Sequence, residues 1–138
     1  MTYSLEAHTA DIAVAAEGEG LEATVAAVAD GMAAAMCEAI PTAGGERFSI
    51  RETAESQEAL LFEYLDRLIF ERDVRGVLPV DNEVTLHTEE DGSWVLEGTA
   101  RGVPLNRIEG REVKAVTYSE MELTETDDGW RAYVVFDV

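Results

Sequence analysis

Two Asp-Gly pairs in the second half of the chain constrain its fold most, because each stands between two runs typical of β-strands. The runs and pairs, in chain order, are 83–87, Asp91-Gly92, 94–97, 112–124, Asp128-Gly129 and 130–138. Asp-Gly between two such runs is a strong signal for a tight β-hairpin. The second half of the chain is therefore predicted to be mainly antiparallel β-structure.

The first half of the chain shows the spacing of two amphipathic helices. The first begins at Glu19-Gly20 and ends before Pro41 and Gly44-Gly45, residues that interrupt helices. Ser56 is the predicted N-cap of the second helix, which should end near Arg72. The apolar stripes are Leu21, Val25, Val28, Met32 and Met36 in the first helix, and Leu60, Leu61, Tyr64, Leu65, Leu68 and Ile69 in the second.

Short strands are predicted over 2–5 and 11–16, with a His-Thr-Ala-Asp turn between them, and over 47–51. No repeat or linker divides the sequence, so residues 1–138 are predicted to form a single domain. Its class is α+β, with two helices packed on a largely antiparallel sheet. In this layout the last strand can lie beside the first ones, which would bring Asp137 close to Asp11.

The strong acidity of the chain limits its partners. It has 29 acidic residues against nine arginines and one lysine, and its formal net charge is −19. Unaided binding to a phosphate backbone or to anionic lipid is therefore not expected. High acidity with abundant alanine and scarce lysine resembles proteins of organisms with multimolar cytoplasmic salt, where charges are screened over about 3 Å. Salt adaptation explains the charge without a basic partner.

The location of the protein is predicted from two absent signals. No signal peptide is recognised, and the longest apolar stretch, Ala23–Cys37, contains Asp30 and is too short to span a bilayer. The protein is therefore expected to be cytoplasmic.

Cys37 is the single cysteine, so it forms neither an internal disulfide nor a cysteine-based metal site, and it is expected to be buried.

Two carboxylates at the borders of apolar runs are the main candidates for a functional site. Asp11 begins the second predicted strand, and Asp137 stands one residue before Val138. If the two meet, they repel unless a cation lies between them. Together with a main-chain or terminal oxygen of Val138 they make an all-oxygen set, which favours Ca²⁺ or Mg²⁺ over Zn²⁺. The alternatives are a simple turn cap for Asp11 and a solvated strand end for Asp137.

Three further residues are candidates for contact with a partner. Lys114 is the one lysine of the chain, and its compact ammonium suits a phosphate or carboxylate, unless it survives by chance. His8 adjoins the Asp11 turn and is placed to orient it. Glu120 is the third candidate, although it and Glu122 alternate with Met121 and Leu123 and fit the solvated face of a strand better.

The sequence contains no recognised set of catalytic residues. It has no nucleophile elbow, phosphate-binding loop, paired cysteines, His-x-x-x-His or glycine-rich dinucleotide loop. An independent metal-dependent hydrolase is therefore disfavoured. A binding module that acts through exposed apolar surface remains an alternative.

Three motifs, in order, resemble those of the archease family. Residues 6–12, EAHTADI, are similar to its E-H-T-A-D-[IV] opening, residues 112–118, EVKAVTY, to its E-V-K-A-[IV]-T-Y strand, and residues 134–138, VVFDV, to its closing apolar-apolar-Asp-[IV]. Residues 60–65, LLFEYL, stand where the family has L-L-x-x-[WY]-L. The resemblance covers essentially the full length, and the set of motifs is specific although each alone is weak.

The resemblance implies a role in RNA splicing. Archeases assist the RtcB-type tRNA-splicing ligase by promoting guanylylation of its active-site histidine and repeated turnover; an older interpretation is a chaperone-like modulator of a tRNA cytosine-5 methyltransferase. The chain is therefore expected to be a non-catalytic activator. The family's metal ligands, usually assigned to Ca²⁺ but compatible with Mg²⁺ or Mn²⁺, map to Asp11, Asp137 and Val138, and its strand lysine maps to Lys114.

Two departures from the family pattern are visible. Many members have His where this chain has Ser119, and the 102–110 loop is shorter than in many relatives. Neither departure affects the proposed metal ligands.

Overall fold

The structure, a computed structural model, describes residues 2–8 and 11–138, and within them the side chains of residues 3–5 and 11–138. The described residues form seven strands, two α-helices and one short 3-10 helix. In chain order these are β1 Thr2–His8, β2 Asp11–Gly18, α1 Leu21–Met36, β3 Glu46–Ala54, α2 Gln57–Arg75, β4 Val77–Thr88, β5 Trp94–Pro104, the 3-10 helix Leu105–Arg107, β6 Ala115–Thr126 and β7 Gly129–Asp137.

The strands are divided between two antiparallel sheets. The first sheet has the order β1-β2-β7-β6, and the second has the order β3-β5-β4. The predicted α+β class with two helices and antiparallel β-structure is confirmed. The expected neighbourhood of the first and last strands is also confirmed, because β2 pairs with β7.

Helix α1 lies between the two sheets. It contacts β1, β2 and β7 of the first sheet and β4 of the second, and 11 of its 16 residues are buried. A helix that is covered on most sides is apolar on most sides, and small residues let it approach closely. A Cβ atom at Gly31 would lie 2.5 Å from Cγ1 of Val14 on β2. Cys37, just after the helix, is buried as predicted.

Helix α2 begins as predicted and ends later. The Ser56 hydroxyl accepts a hydrogen bond from the Ala59 N–H at 3.1 Å, so Ser56 is the N-cap. The helix continues past Arg72 to Arg75, because Gly76 supplies the left-handed residue that stops it (φ +65°). It contacts β3, β4 and β5 of the second sheet and β6 of the first. No helix in the described ranges is long and apolar enough to cross a membrane.

Strand β6 differs at both ends from its prediction over 112–124. It begins at Ala115, because its partner β7 ends at Asp137, opposite Ala115. The hairpin turns at Asp127 and Asp128, with Thr126 opposite Gly129, one residue earlier than predicted. Gly129 is needed as the first residue of β7, since a Cβ atom there would collide with the Gly18 carbonyl oxygen.

Candidate functional site at one end of the first sheet

The register of the first sheet brings the two predicted carboxylates together. Asp11 on β2 lies directly opposite Asp137 on β7. Side chains of directly opposed residues in antiparallel strands share one face, with Cβ atoms about 4.5–5.5 Å apart. The convergence of Asp11 and Asp137 was expected from the strand layout, and the pairing of β2 with β7 produces it.

The two carboxylates stand at the border between core and solvent. The next pair inward, Ile12 and Phe136, is buried at 6% and 0% exposure. Asp11 is half-buried, Asp137 is exposed, and Val138 is half-buried. The apolar residues beneath fix the strands, so the carboxylates are presented on a rigid edge and remain accessible to a ligand from outside.

Lys114 reaches the same end of the sheet through its backbone. Its N–H donates a hydrogen bond of 2.8 Å to the Asp137 carbonyl oxygen, just before Ala115 pairs with Asp137. The Lys114 side chain is exposed, and it makes no ion pair with any residue of the described ranges. A partner contact by this ammonium stays a prediction.

A buried arginine that sequence reasoning missed holds the segment before Lys114. The Arg72 side chain is 6% exposed, and its Nε donates to Asp73 Oδ1 at 2.9 Å. Its Nη1 donates to the carbonyl oxygen of Val113 at 2.7 Å. Val113 is itself fully buried. A guanidinium that caps one backbone carbonyl has no local sequence signature, because the two residues lie 41 positions apart.

The role predicted for His8 stays a prediction. The backbone of His8 lies opposite Asp11 in the pairing of β1 with β2. Its side chain lies outside the described residues, as do Thr9 and Ala10 of the predicted turn.

Glu120 lies in a β-bulge, so the regular alternation predicted for this part of β6 is wrong. Thr117 pairs with Val135 and Glu122 with Tyr133, which leaves residues 118–121 opposite a single residue of β7. The bulge places Glu120 at φ +58°, a conformation uncommon for residues other than glycine. Glu120 is exposed, as expected for a solvated position. Bulges are enriched beside functional sites, and a partner contact by Glu120 stays a prediction.

Glu122, by contrast, is part of an ion pair. Its carboxylate lies 2.7 Å from Nη2 of Arg131 on β7, and the hydrogen bond from Arg131 lowers the pKa of Glu122. Glu122 therefore forms a cross-strand ion pair on the surface of the sheet.

The donor set at the sheet end fits a hard divalent cation. Within the described ranges, no group of three or more His, Cys, Asp and Glu side chains is arranged to hold a metal. The predicted set is different, since it joins two carboxylates to an oxygen of Val138. Opposed carboxylates repel each other, and a cation bound by oxygen donors removes that repulsion. Metal binding by Asp11, Asp137 and Val138 stays a prediction.

Comparison with known proteins extends over nearly the whole chain. Residues 3–138 match the archease protein family (MTH1598/TM1083). The chain is 31% identical over 135 residues to the protein archease of Pyrococcus furiosus, covering 95% of this chain and 94% of that protein. It is 34% identical over 135 residues to the protein archease of Thermococcus kodakarensis, with the same coverage of 95% and 94%.

Two solved structures share the fold. The solution structure of Methanobacterium thermoautotrophicum protein 1598 superimposes with a TM-score of 0.85 at 29% identity, covering 99% of this chain and 98% of that one. The crystal structure of a Thermotoga maritima protein described as "an archease, possible chaperone" gives a TM-score of 0.66 at 25% identity, covering 95% and 93%. With matched motifs, fold and relatives all spanning almost its full length, this chain belongs to the archease family.

Proposed function

We propose that this chain is a cytoplasmic, non-catalytic activator of an RtcB-type tRNA-splicing ligase that promotes guanylylation of the ligase and its repeated turnover. One observation carries the proposal: Asp11 and Asp137 stand opposite each other with Lys114 bonded alongside. Asp11, Lys114 and Asp137 come one each from the three motifs that carry the family resemblance. Together they present charged groups to a partner, and the set contains no nucleophile.

In this proposal the carboxylates of Asp11 and Asp137 and an oxygen of Val138 hold a divalent cation, Ca²⁺ or else Mg²⁺ or Mn²⁺. When bound, the cation supplies positive charge that offsets phosphate charge at the nucleotide site of the ligase. The exposed ammonium of Lys114 adds a point charge toward a phosphate or a ligase carboxylate. Arg72 positions the main chain of this lysine through Val113.

The first experiment measures transfer of labelled GMP from GTP to the ligase. Asp11→Ala and Asp137→Ala are each expected to reduce the stimulation by at least about 10- to 100-fold, the range for residues that only support a metal ligand, because each variant removes a predicted ligand itself. The matched control is Glu17→Ala, because Glu17 is an exposed carboxylate six residues along β2 on the face of Asp11. Full stimulation by both folded aspartate variants contradicts the proposal.

A second readout tests the metal without the ligase. A cation that binds only the folded protein stabilises it by about 2.7 kcal/mol at 100 times its Kd. Thermal unfolding with added CaCl₂ is therefore expected to shift upward for the unmodified chain and for Glu17→Ala, but not for Asp137→Ala. An equal shift for all three proteins indicates that Ca²⁺ acts elsewhere.

A second candidate function is a chaperone-like modulator of a tRNA cytosine-5 methyltransferase. Exposed apolar side chains favour it, since Phe70 is 56% and Val74 is 65% exposed, and the Thermotoga maritima relative is described as a possible chaperone. Such an activity should not need the two aspartates. Suppression of methyltransferase aggregation that survives Asp11→Ala and Asp137→Ala, without any stimulation of the ligase, would support this second candidate.

A further inference from the structure

We propose that the outward side of α2 and the adjoining Tyr118 form the surface that docks this chain on its ligase, against an apolar region that also carries basic side chains. We call Phe62, Phe70, Val74 and Tyr118 the α2 patch. The inference rests on the proposed function for the identity of the partner. It adds the place of contact and the chemistry of the partner's surface.

Exposure singles out this patch. Val74, Phe70 and Tyr118 are exposed at 65%, 56% and 54%, the highest values among the large apolar side chains of the described residues. Phe70 and Val74 are one helical turn apart on α2, so their side chains are neighbours. Single exposed apolar residues are ordinary, but grouped ones mark interaction sites. Aromatic residues are also the commonest energetic anchors of protein interfaces.

Tyr118 extends the patch from the helix to the bulge of β6. Its ring stacks on the ring of Phe62 with centroids 4.1 Å apart and planes 6° from parallel. The other ring face and the hydroxyl of Tyr118 remain accessible, because more than half of this residue is exposed. The stack holds the tyrosine in place before any partner binds, which lowers the entropy lost on docking.

One end of the patch lies near the candidate functional site. Tyr118 follows Lys114 by four residues, about 13 Å along an extended strand. Arg72 is bonded to Val113, next to Lys114, but its buried side chain lies on the opposite side of α2 from Phe70 and Val74, so the connection to Lys114 runs through Tyr118. An ordinary interface buries about 800 Å² on each partner. A ligase docked on the Tyr118 end of the α2 patch would therefore also reach Lys114.

The charges around the patch select the kind of partner. Glu63, Asp66 and Asp73 lie among the patch residues on α2. Asp73 pairs with Arg72, whereas Glu63 and Asp66 form no ion pair with other described residues. This acidic surround opposes a second copy of a chain with a net charge of −19 and opposes bare RNA. It complements an apolar protein surface that also carries arginine or lysine side chains.

The test compares Phe70→Ser combined with Val74→Ser against Leu5→Ser. Leu5 is a matched control, since it is 43% exposed and lies on β1, away from α2. The double variant is expected to raise both the Kd for the ligase and the concentration that gives half-maximal guanylylation by about 100-fold, roughly tenfold for each truncated anchor. Maximal stimulation at saturation should be unchanged, because the patch positions the partner and takes no part in chemistry. The control should match the unmodified chain.

A charge variant tests the acidic residues of this surface separately from the apolar contact. Asp66→Lys is expected to slow association with the ligase several-fold at low salt, and the difference should shrink as salt is added. Circular dichroism confirms that each variant is folded, which is expected because the altered side chains are exposed.

Three results of these experiments would overturn the docking inference. Unchanged ligase affinity in the double variant overturns the docking proposal while the proposed function stands, provided that the unmodified chain binds and stimulates. An unmodified chain that neither binds nor stimulates the ligase overturns the proposed function and this inference with it. A dimer in sedimentation that the double variant dissolves assigns the patch to self-association and also overturns the inference.

Discussion

The molecule has two aspartate sites at the border of the same core, and the surroundings of the two carboxylates are opposite in kind. Asp30 on α1 accepts hydrogen bonds through one oxygen from the N–H and the side-chain amide of Asn82, at 3.0 and 2.9 Å. The Tyr64 hydroxyl on α2 donates to Oδ1 of Asn82, the oxygen of the same amide, at 3.3 Å. Asp11 instead faces another carboxylate, that of Asp137.

The difference separates a cluster that is bonded within the chain from a predicted binding site. The Asp30 cluster joins both helices to β4, and its Asn82 and Tyr64 members are 4% and 1% exposed. Asp30 Oδ1, the Asn82 amide and the Tyr64 hydroxyl bond to one another, so the cluster is held by the chain itself. Asp11 and Asp137 instead bring two carboxylates together at an accessible edge. In the proposed function, a cation or a basic group of a partner offsets their repulsion.

The largest effect in this comparison is expected from breaking the Asp30 cluster. Asn82→Ala removes the partner of both Asp30 and Tyr64 and should lower the free energy of unfolding by about 2–4 kcal/mol, the cost of buried groups left without hydrogen bonds. Denaturant unfolding measures it. Glu83→Ala is the control. Glu83 is 78% exposed and paired with Arg47, so its replacement should lower the free energy of unfolding by only about 0–1 kcal/mol. Equal losses would mean that the cluster is not structural.

An effect of opposite sign is expected at the Asp11–Asp137 pair. In the absence of divalent cations, Asp137→Asn should raise the free energy of unfolding by about 0.5–1 kcal/mol, because it removes one of two like charges held directly opposite each other. Glu125→Gln changes the net charge equally but lies opposite Trp130, so it should have a smaller effect. Unfolding in EDTA provides the measurement. A destabilised Asp137→Asn protein would show that the carboxylate is already satisfied within the chain.

The smallest effect concerns the protonation of Asp30. Burial raises the pKa of this carboxyl above its ordinary value, although the bonds from Asn82 act in the opposite direction. The protonated form of Asp30 therefore favours the folded state. This contribution to the free energy of unfolding is present at low pH and is lost as the pH rises through the raised pKa. Asp30→Asn keeps an acceptor oxygen and should be more stable than the unmodified chain at pH 7, by about 0.5 kcal/mol or less.

The sign of that prediction is checked by the pH dependence of the difference. Thermal unfolding of the two proteins from pH 7 down to pH 3 should show the advantage of Asp30→Asn vanish as Asp30 becomes protonated. An advantage that grows toward low pH would mean that the ionised carboxylate is the stabilising form.

Much of the fold was predictable because its signals are local. The apolar stripes of α1 and α2, the Ser56 cap and the two hairpins all depend on residues within a few positions of one another. The boundary of β6 was less predictable. It depends on where β7 ends, since a strand stops when it runs out of backbone partners.

The irregular features of the structure had no signal of this kind. The bulges that give Asp81 and Glu120 positive φ values of 49° and 58° interrupt otherwise regular strands. The exposed Phe70 and Val74 belong to a helix whose pattern alone shows one apolar face. Tyr118 joins this side of α2 only in the tertiary structure, where its ring stacks on that of Phe62.

By itself the sequence determined the helices, the hairpins, the family and the identity of the candidate residues, since each follows from short-range patterns or from matched motifs. The tertiary structure decided that Asp11 lies opposite Asp137, that Arg72 fixes the approach to Lys114, and that Tyr118 stacks on Phe62 of α2. These relations join residues far apart in the chain. They are set by sheet register and helix packing, which depend on the whole core and not on any one segment.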